Sequence, residues 1–162
     1  MGSIHDLNGR IQVKVKALDL TKQFPRSPQE KLGGYAHLAR MADKARAKGA
    51  GTLGEYLYPC PLDQALLEFL GLDGDLFQKA AVELEDQDLL KWFQHNAKIH
   101  TPEQIDAWSK VFLTRTPQNE ESRQRFLKTR ERVAPNRTDV TSWIDLLDLE
   151  EGREVPQRTV RS

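Results

Sequence analysis

The stretch that decides the fold is Lys31–Gly51, KLGGYAHLARMADKARAKGAG. From Tyr35 onward its apolar residues fall at helical spacing. Tyr35, Leu38, Met41, Ala42 and Ala45 share one face at about 100° per residue, which marks them as core. His37, Arg40, Lys44 and Lys48 share the opposite face, at spacings of three, four and four. Gly49 and Gly51 close the helix, with Lys48 near its negative end. Its start is less plain. Ser27, Pro28 and Glu30 have the form of a capping box with proline at the first helical position. Gly33 and Gly34 then interrupt it, each costing about 1 kcal/mol relative to alanine inside a helix. Either the first turn is a separate short piece, or the backbone there closely approaches something else.

Working outward, the rest of the chain also reads as helix. Before this stretch, IQVKVK (residues 11–16) alternates apolar and polar residues, which predicts a short extended segment. After it, TLGEYLYPCPLD is a connector in which two prolines flank Cys60. Short helices are predicted at about 62–70, 75–84 and 87–96 from apolar spacing. Thr101, Pro102 and Gln104 form a clean capping box for a helix running to about Arg115, with Ile105, Trp108 and Phe112 inward. A charged helix follows from Asn119 to Val133, and a last one from Thr141 to Glu150. The expected fold is therefore mainly α. It is a single compact domain of about seven short helices (18–151), preceded by an extended arm (1–17) and followed by a polar, mobile tail (152–162).

Composition limits the function classes. At 162 residues with one cysteine, the chain needs no disulfide or metal to fold, and burial of roughly 70% of its unfolded surface is within reach. It carries no long apolar run, and its N-terminal residues lack the apolar core of a signal peptide, so a cytoplasmic protein without a membrane span is expected. Net charge is zero, so whole-protein attraction to nucleic acid or anionic lipid is not expected. The charge is nevertheless segregated. Residues 22–48 have a balance of +5, 53–90 of −8, 110–137 of +5 and 138–154 of −5. The simplest reading is that basic and acidic segments neighbour each other in the fold.

Four segments carry a family resemblance. LDLTKQFPRSPQEKLGGYAHLARMADKARA (18–47), GTLGEYLYPCPLDQALLEFLG (51–71), TPEQIDAW (101–108) and TDVTSWIDLLDLEEGR (138–153) together resemble a bacterial family of uncharacterised cytosolic helical domains, a domain of unknown function. The resemblance covers nearly all of Leu18–Arg153. It implies a compact helical protein and no particular activity. No site residues are carried from it.

The candidate site is argued from chemistry alone. Four cationic or protonatable side chains on one helical stripe repel each other, and an anion would relieve that strain. It could be a small phosphate or carboxylate ligand, an acidic protein partner, or the acidic middle of the same chain. In the ligand-binding reading His37, Arg40 and Lys44 hold the anion, and Glu55 with Tyr35, Tyr56 and Tyr58 lines the wall. The tyrosines read equally well as core aromatics whose hydroxyls find partners. The glycines could expose backbone N–H groups near the helix start, although no phosphate-loop motif is present. Arg46 lies close to the buried side and is expected to form a structural ion pair, with Glu55 or Asp63 as partner.

Catalysis is the alternative. Cys60 stands just ahead of a predicted helix and would serve as nucleophile, or His37 as general base, in the same pocket. A lone cysteine is otherwise a small buried hydrophobe. No metal site or cofactor is expected: His95 and His100 are five apart across a helix break. The basic run RQRFLKTRER (123–132) lies in no recognisable nucleic-acid module, and the helix that carries it offers instead a contact for a homo-oligomer.

Overall fold

The glycine pair that interrupts the opening stretch makes a turn of its own. Gly33 (φ 59°) and Gly34 (φ 84°) occupy the left-handed region, and Leu32 and Tyr35 exchange backbone hydrogen bonds across them at 3.1 and 3.0 Å. A side chain at residue 33 would also strike Leu90, whose Cδ2 lies 2.6 Å from the position of a Cβ there. The first turn is thus a separate piece, and the helix α1 begins only at Leu38 (Leu38–Ala50). His37 caps it with φ 71°, the one non-glycine residue in the left-handed region among the described residues. The glycines lie ahead of the helix start and lend it no N–H groups.

The computed structural model describes residues 3–5, 11–13 and 15–159. Residues 1, 2, 6–10 and 14 of the expected arm, and 160–162 of the expected tail, lie outside the described residues. Two short strands, β1 (Ser3–His5) and β2 (Ile11–Val13), pair antiparallel, Ile4 opposite Gln12. The sequence had offered no partner for the second. The remaining helices are α2 (Pro61–Leu70), α3 (Gly74–Glu83), α4 (Asp86–Asn96), α5 (Pro102–Leu113), α6 (Glu120–Val133) and α7 (Trp143–Glu150). The fold is mainly α, with seven helices among the described residues.

The chain divides into two compact units, residues 1–105 and 106–162, and α5 runs across the division. In the first unit α1 is the central element and packs on α3, which packs on α4. Every residue from Leu38 to Ala47 is buried. Leu38, Met41, Leu66, Leu70, Phe77 and Leu89 are fully enclosed, each contributing about 1.5–3 kcal/mol by leaving water. Tyr35 stands edge-on to both Phe69 and Phe93, at 6.2 and 6.1 Å between ring centres.

Local chemistry sets the helix ends. Thr101 and Gln104 exchange capping bonds at 2.9 and 3.1 Å, as the sequence predicts. Asn119 and Ser122 close the start of α6 in the same reciprocal way. Ser142 caps α7 by accepting from the Asp145 N–H.

In the second unit Phe126, Val140, Leu146 and Val155 form the core, with Leu127, Trp143 and Leu149 packed against it. Residues 153–159 have no regular secondary structure, yet Val155 is buried. Arg137 donates to the carbonyls of Val155 and Pro156, and this segment of the expected tail is pinned to the unit.

Candidate functional site

The helical stripe expected to face away from the core is buried. His37 is fully enclosed, Arg40 and Lys44 are almost so, and only Lys48 reaches solvent. Helical spacing identified one buried face correctly, but α1 is surrounded on all sides. Its cations therefore need partners, because an isolated buried charge is very costly.

Asp63, in the first turn of α2, supplies the central one. It is completely buried. One carboxylate oxygen accepts from His37 Nε2 at 2.7 Å; the other accepts from Lys44 Nζ at 2.7 Å and from the Cys60 N–H at 2.9 Å. Burial pushes this carboxyl up, but the hydrogen bonds from His37 and Lys44 and the charge of Lys44 outweigh it and hold it at about 2. Asp63 is thus ionised and accepts only, which puts the ring proton of His37 on Nε2. Burial pushes His37 below its ordinary value; Asp63 opposes that, while Lys44 and Arg40 add to it. The ring is held neutral and hidden from solvent.

Cys60 is the N-cap of α2. Its side chain is turned to the Asp63 N–H while the Asp63 carboxylate takes its own N–H, the reciprocal arrangement of a capping box. Lys44 Nζ lies 3.2 Å from its sulfur. One ammonium therefore bridges a buried carboxylate and the thiol of a half-buried cysteine. The connector reaches this point through a cis Tyr58–Pro59 peptide bond. Tyr58 is buried, its hydroxyl donating to the Gly74 carbonyl at 2.7 Å; burial first, then the charges of Asp63, Asp75 and Asp73, push its phenol up. Lys48 donates to the Tyr58 carbonyl.

The remaining predicted residues divide. The Arg40 guanidinium lies over the Tyr56 ring, 5.5 Å from its centre, and donates to the Arg26 carbonyl at 3.3 Å. Glu55 is exposed. Tyr35 belongs to the aromatic core with Phe69 and Phe93. Arg46 binds neither Glu55 nor Asp63: its partner is Asp86, at 2.9 Å, and it donates also to the Ala81 and Leu84 carbonyls at the end of α3.

Asp86 takes a second arginine as well. Arg26 Nη1 reaches it at 2.7 Å, while Nη2 reaches Asp43 at 3.0 Å. The basic block thus finds its acids chiefly at Asp63 and Asp86, inside the acidic block. Asp63 and Asp86 are the residues sequence reasoning placed least well, Asp63 being considered only as a partner for Arg46. The available signal was the acid at the third position after Cys60, the capping-box spacing.

Among the described residues no three His, Cys, Asp or Glu side chains cluster as metal ligands, and no helix is long and apolar enough to cross a membrane. Comparison with protein families matches a domain of unknown function, DUF5069, over residues 22–153. No curated protein matches the chain. The chain belongs to the DUF5069 family.

Proposed function

We propose that the first unit carries a reactive-thiol site in which Cys60 is the nucleophile and Lys44 its electrostatic support. One observation carries this reading: Lys44 Nζ, fixed on buried Asp63, sits 3.2 Å from the Cys60 sulfur. A thiol becomes a nucleophile by losing its proton, and an adjacent ammonium stabilises the negative charge that remains. The N-terminus of α2 adds partial positive charge at the same atom. Asp63 and His37 act as positioning residues, holding the ammonium in place. Cys60 is half-buried rather than enclosed.

Reversible holding of a small anion by His37, Arg40 and Lys44 has less support, since Asp63 already occupies two of the three. A cytoplasmic location, where thiols stay reduced, fits the thiol reading.

Alkylation by iodoacetamide tests it. The sulfur forms a bond to carbon as the carbon–iodine bond breaks, iodide leaves with the electron pair, and the thiol proton passes to solvent. With one cysteine in the chain, intact mass reports Cys60 alone. At pH 7 the folded chain is expected to react at least about tenfold faster than the same chain in urea corrected with a model thiol. A folded rate equal to or below the unfolded one overturns the proposal.

A further inference from the structure

The second unit holds its own C-terminal segment in the way a recognition domain holds a peptide. Residues 153–159 lie without regular structure against the unit. Val155 enters the core beside Phe126, Val140 and Leu146. Three residues on, Arg158 is clamped by Asp145, Nε to one carboxylate oxygen at 2.8 Å and Nη2 to the other at 2.9 Å. The Arg158 N–H donates to Asp139 at 2.7 Å. Arg137, itself paired through two bonds with Asp139, donates to the Val155 and Pro156 carbonyls at 2.9 Å each. Apolar burial, a two-oxygen carboxylate grip and a backbone clamp thus hold residues 155–158, which is the equipment for reading a peptide.

Three further observations separate the seat from its occupant. Every residue of the seat lies inside residues 22–153, the span of the family match, whereas Val155 and Arg158 lie beyond it. The segment leaves α7 through Gly152, in the left-handed region at φ 76°, with nothing within 4 Å of where a Cβ would stand. Charge is complementary, the Asp145 carboxylate taking the Arg158 guanidinium through both oxygens, and Glu154, Pro156, Gln157, Arg158 and Thr159 are exposed.

We propose that this seat is a binding site for an extended segment of a partner protein bearing an aliphatic residue and, three positions later, an arginine, and that Val155 and Arg158 fill it in cis as a displaceable placeholder. A tethered occupant competes at millimolar effective concentration, so release of one anchor opens the site.

The probe is a fluorescein-labelled peptide GREVPQRT, the sequence of residues 152–159, read by anisotropy against the full chain. Arg158→Ala removes the anchor from the chain without touching the seat. The variant is expected to keep its helical circular dichroism and to bind the peptide at least tenfold more tightly than the unaltered chain. A peptide with alanine in place of its second arginine is expected to lose that binding. If the variant binds no more tightly, or the alanine peptide binds equally well, the seat does not read arginine and the proposal falls. If Arg158→Ala unfolds the chain, the segment is a fixed part of the fold, and the proposal falls likewise. A concentration-dependent dimer of the unaltered chain that Arg158→Ala abolishes would assign the seat to a second copy and overturn the partner reading.

Discussion

Lys44 and Asp63 meet at 2.7 Å, nineteen residues apart in sequence, with both side chains almost wholly removed from water. Neither is tolerable there alone. Their attraction and the extra bonds from His37 and the Cys60 N–H offset the desolvation of both charges.

Removing the carboxylate therefore exposes the cost of its partners. Asp63→Ala is expected to destabilise the protein by about 3–5 kcal/mol, since it strands a buried ammonium and removes the acceptor for His37. Urea unfolding measures it. A loss below about 1 kcal/mol would show that Lys44 escapes to solvent at little cost.

Stability should fall on acidification in two stages. His37 is held below its ordinary value of 6.5, so below that pH the unfolded chain takes up a proton that the folded chain refuses, and stability declines from there toward the folded value. Asp63 is held at about 2 against an ordinary 3.8. Its contribution is complete above about pH 4 and is lost as pH falls through about 2. The urea midpoint measured against pH is expected to be level above about pH 7.5, to slope from about 6.5, and to steepen below about 4. His37→Gln should flatten the upper slope. His100 is also pushed down, by burial and then by Lys98, so His100→Gln is the control. An unchanged upper slope in His37→Gln would place the titration elsewhere.

Gly33→Ala introduces two separable penalties. The left-handed backbone disfavours any Cβ by about 1–2 kcal/mol, and the new atom meets Leu90 at 2.6 Å. Thermal melts should show a loss of about 1–3 kcal/mol in all. Adding Leu90→Ala, with its own loss subtracted, should recover the steric part and leave the backbone part. Full recovery would mean that the backbone conformation costs nothing.

Arg26 and Arg46 share Asp86, at 2.7 and 2.9 Å. Their truncations to methionine should therefore not add. A double-mutant cycle is expected to return a coupling of about 0.5–3 kcal/mol. Additivity within about 0.3 kcal/mol would mean that Asp86 serves each independently.

How much of this was legible beforehand follows from the reach of each signal. The helix starting after Thr101 could be read because its cap is local, two side chains three residues apart. The start of α1 could not, because it turns on His37 adopting φ 71°, which no spacing announces in a non-glycine residue. A helical wheel supposes one wet side. Around α1 both sides are dry, and the hints were the five alanines from Ala36 to Ala47 in and just before it and the acidic block at 53–90. That basic and acidic blocks would meet was readable from charge alone, whereas the pairing of Arg46 with Asp86 depends on how α3 ends, a tertiary matter. Cys60 and Lys44 were both candidates; the carboxylate that ties them together was not seen in that role.

The centre of the first unit has a consequence for how it comes to exist. Between Leu38 and Ala50 the chain carries four cations and one acid, and the acids that complete it arrive with α2 and α4. Excised, this thirteen-residue peptide would be short for a helix in water and would repel itself. The most enclosed helix in the molecule is therefore the one least able to stand by itself, and it gains its shape only when segments made later in the chain close around it.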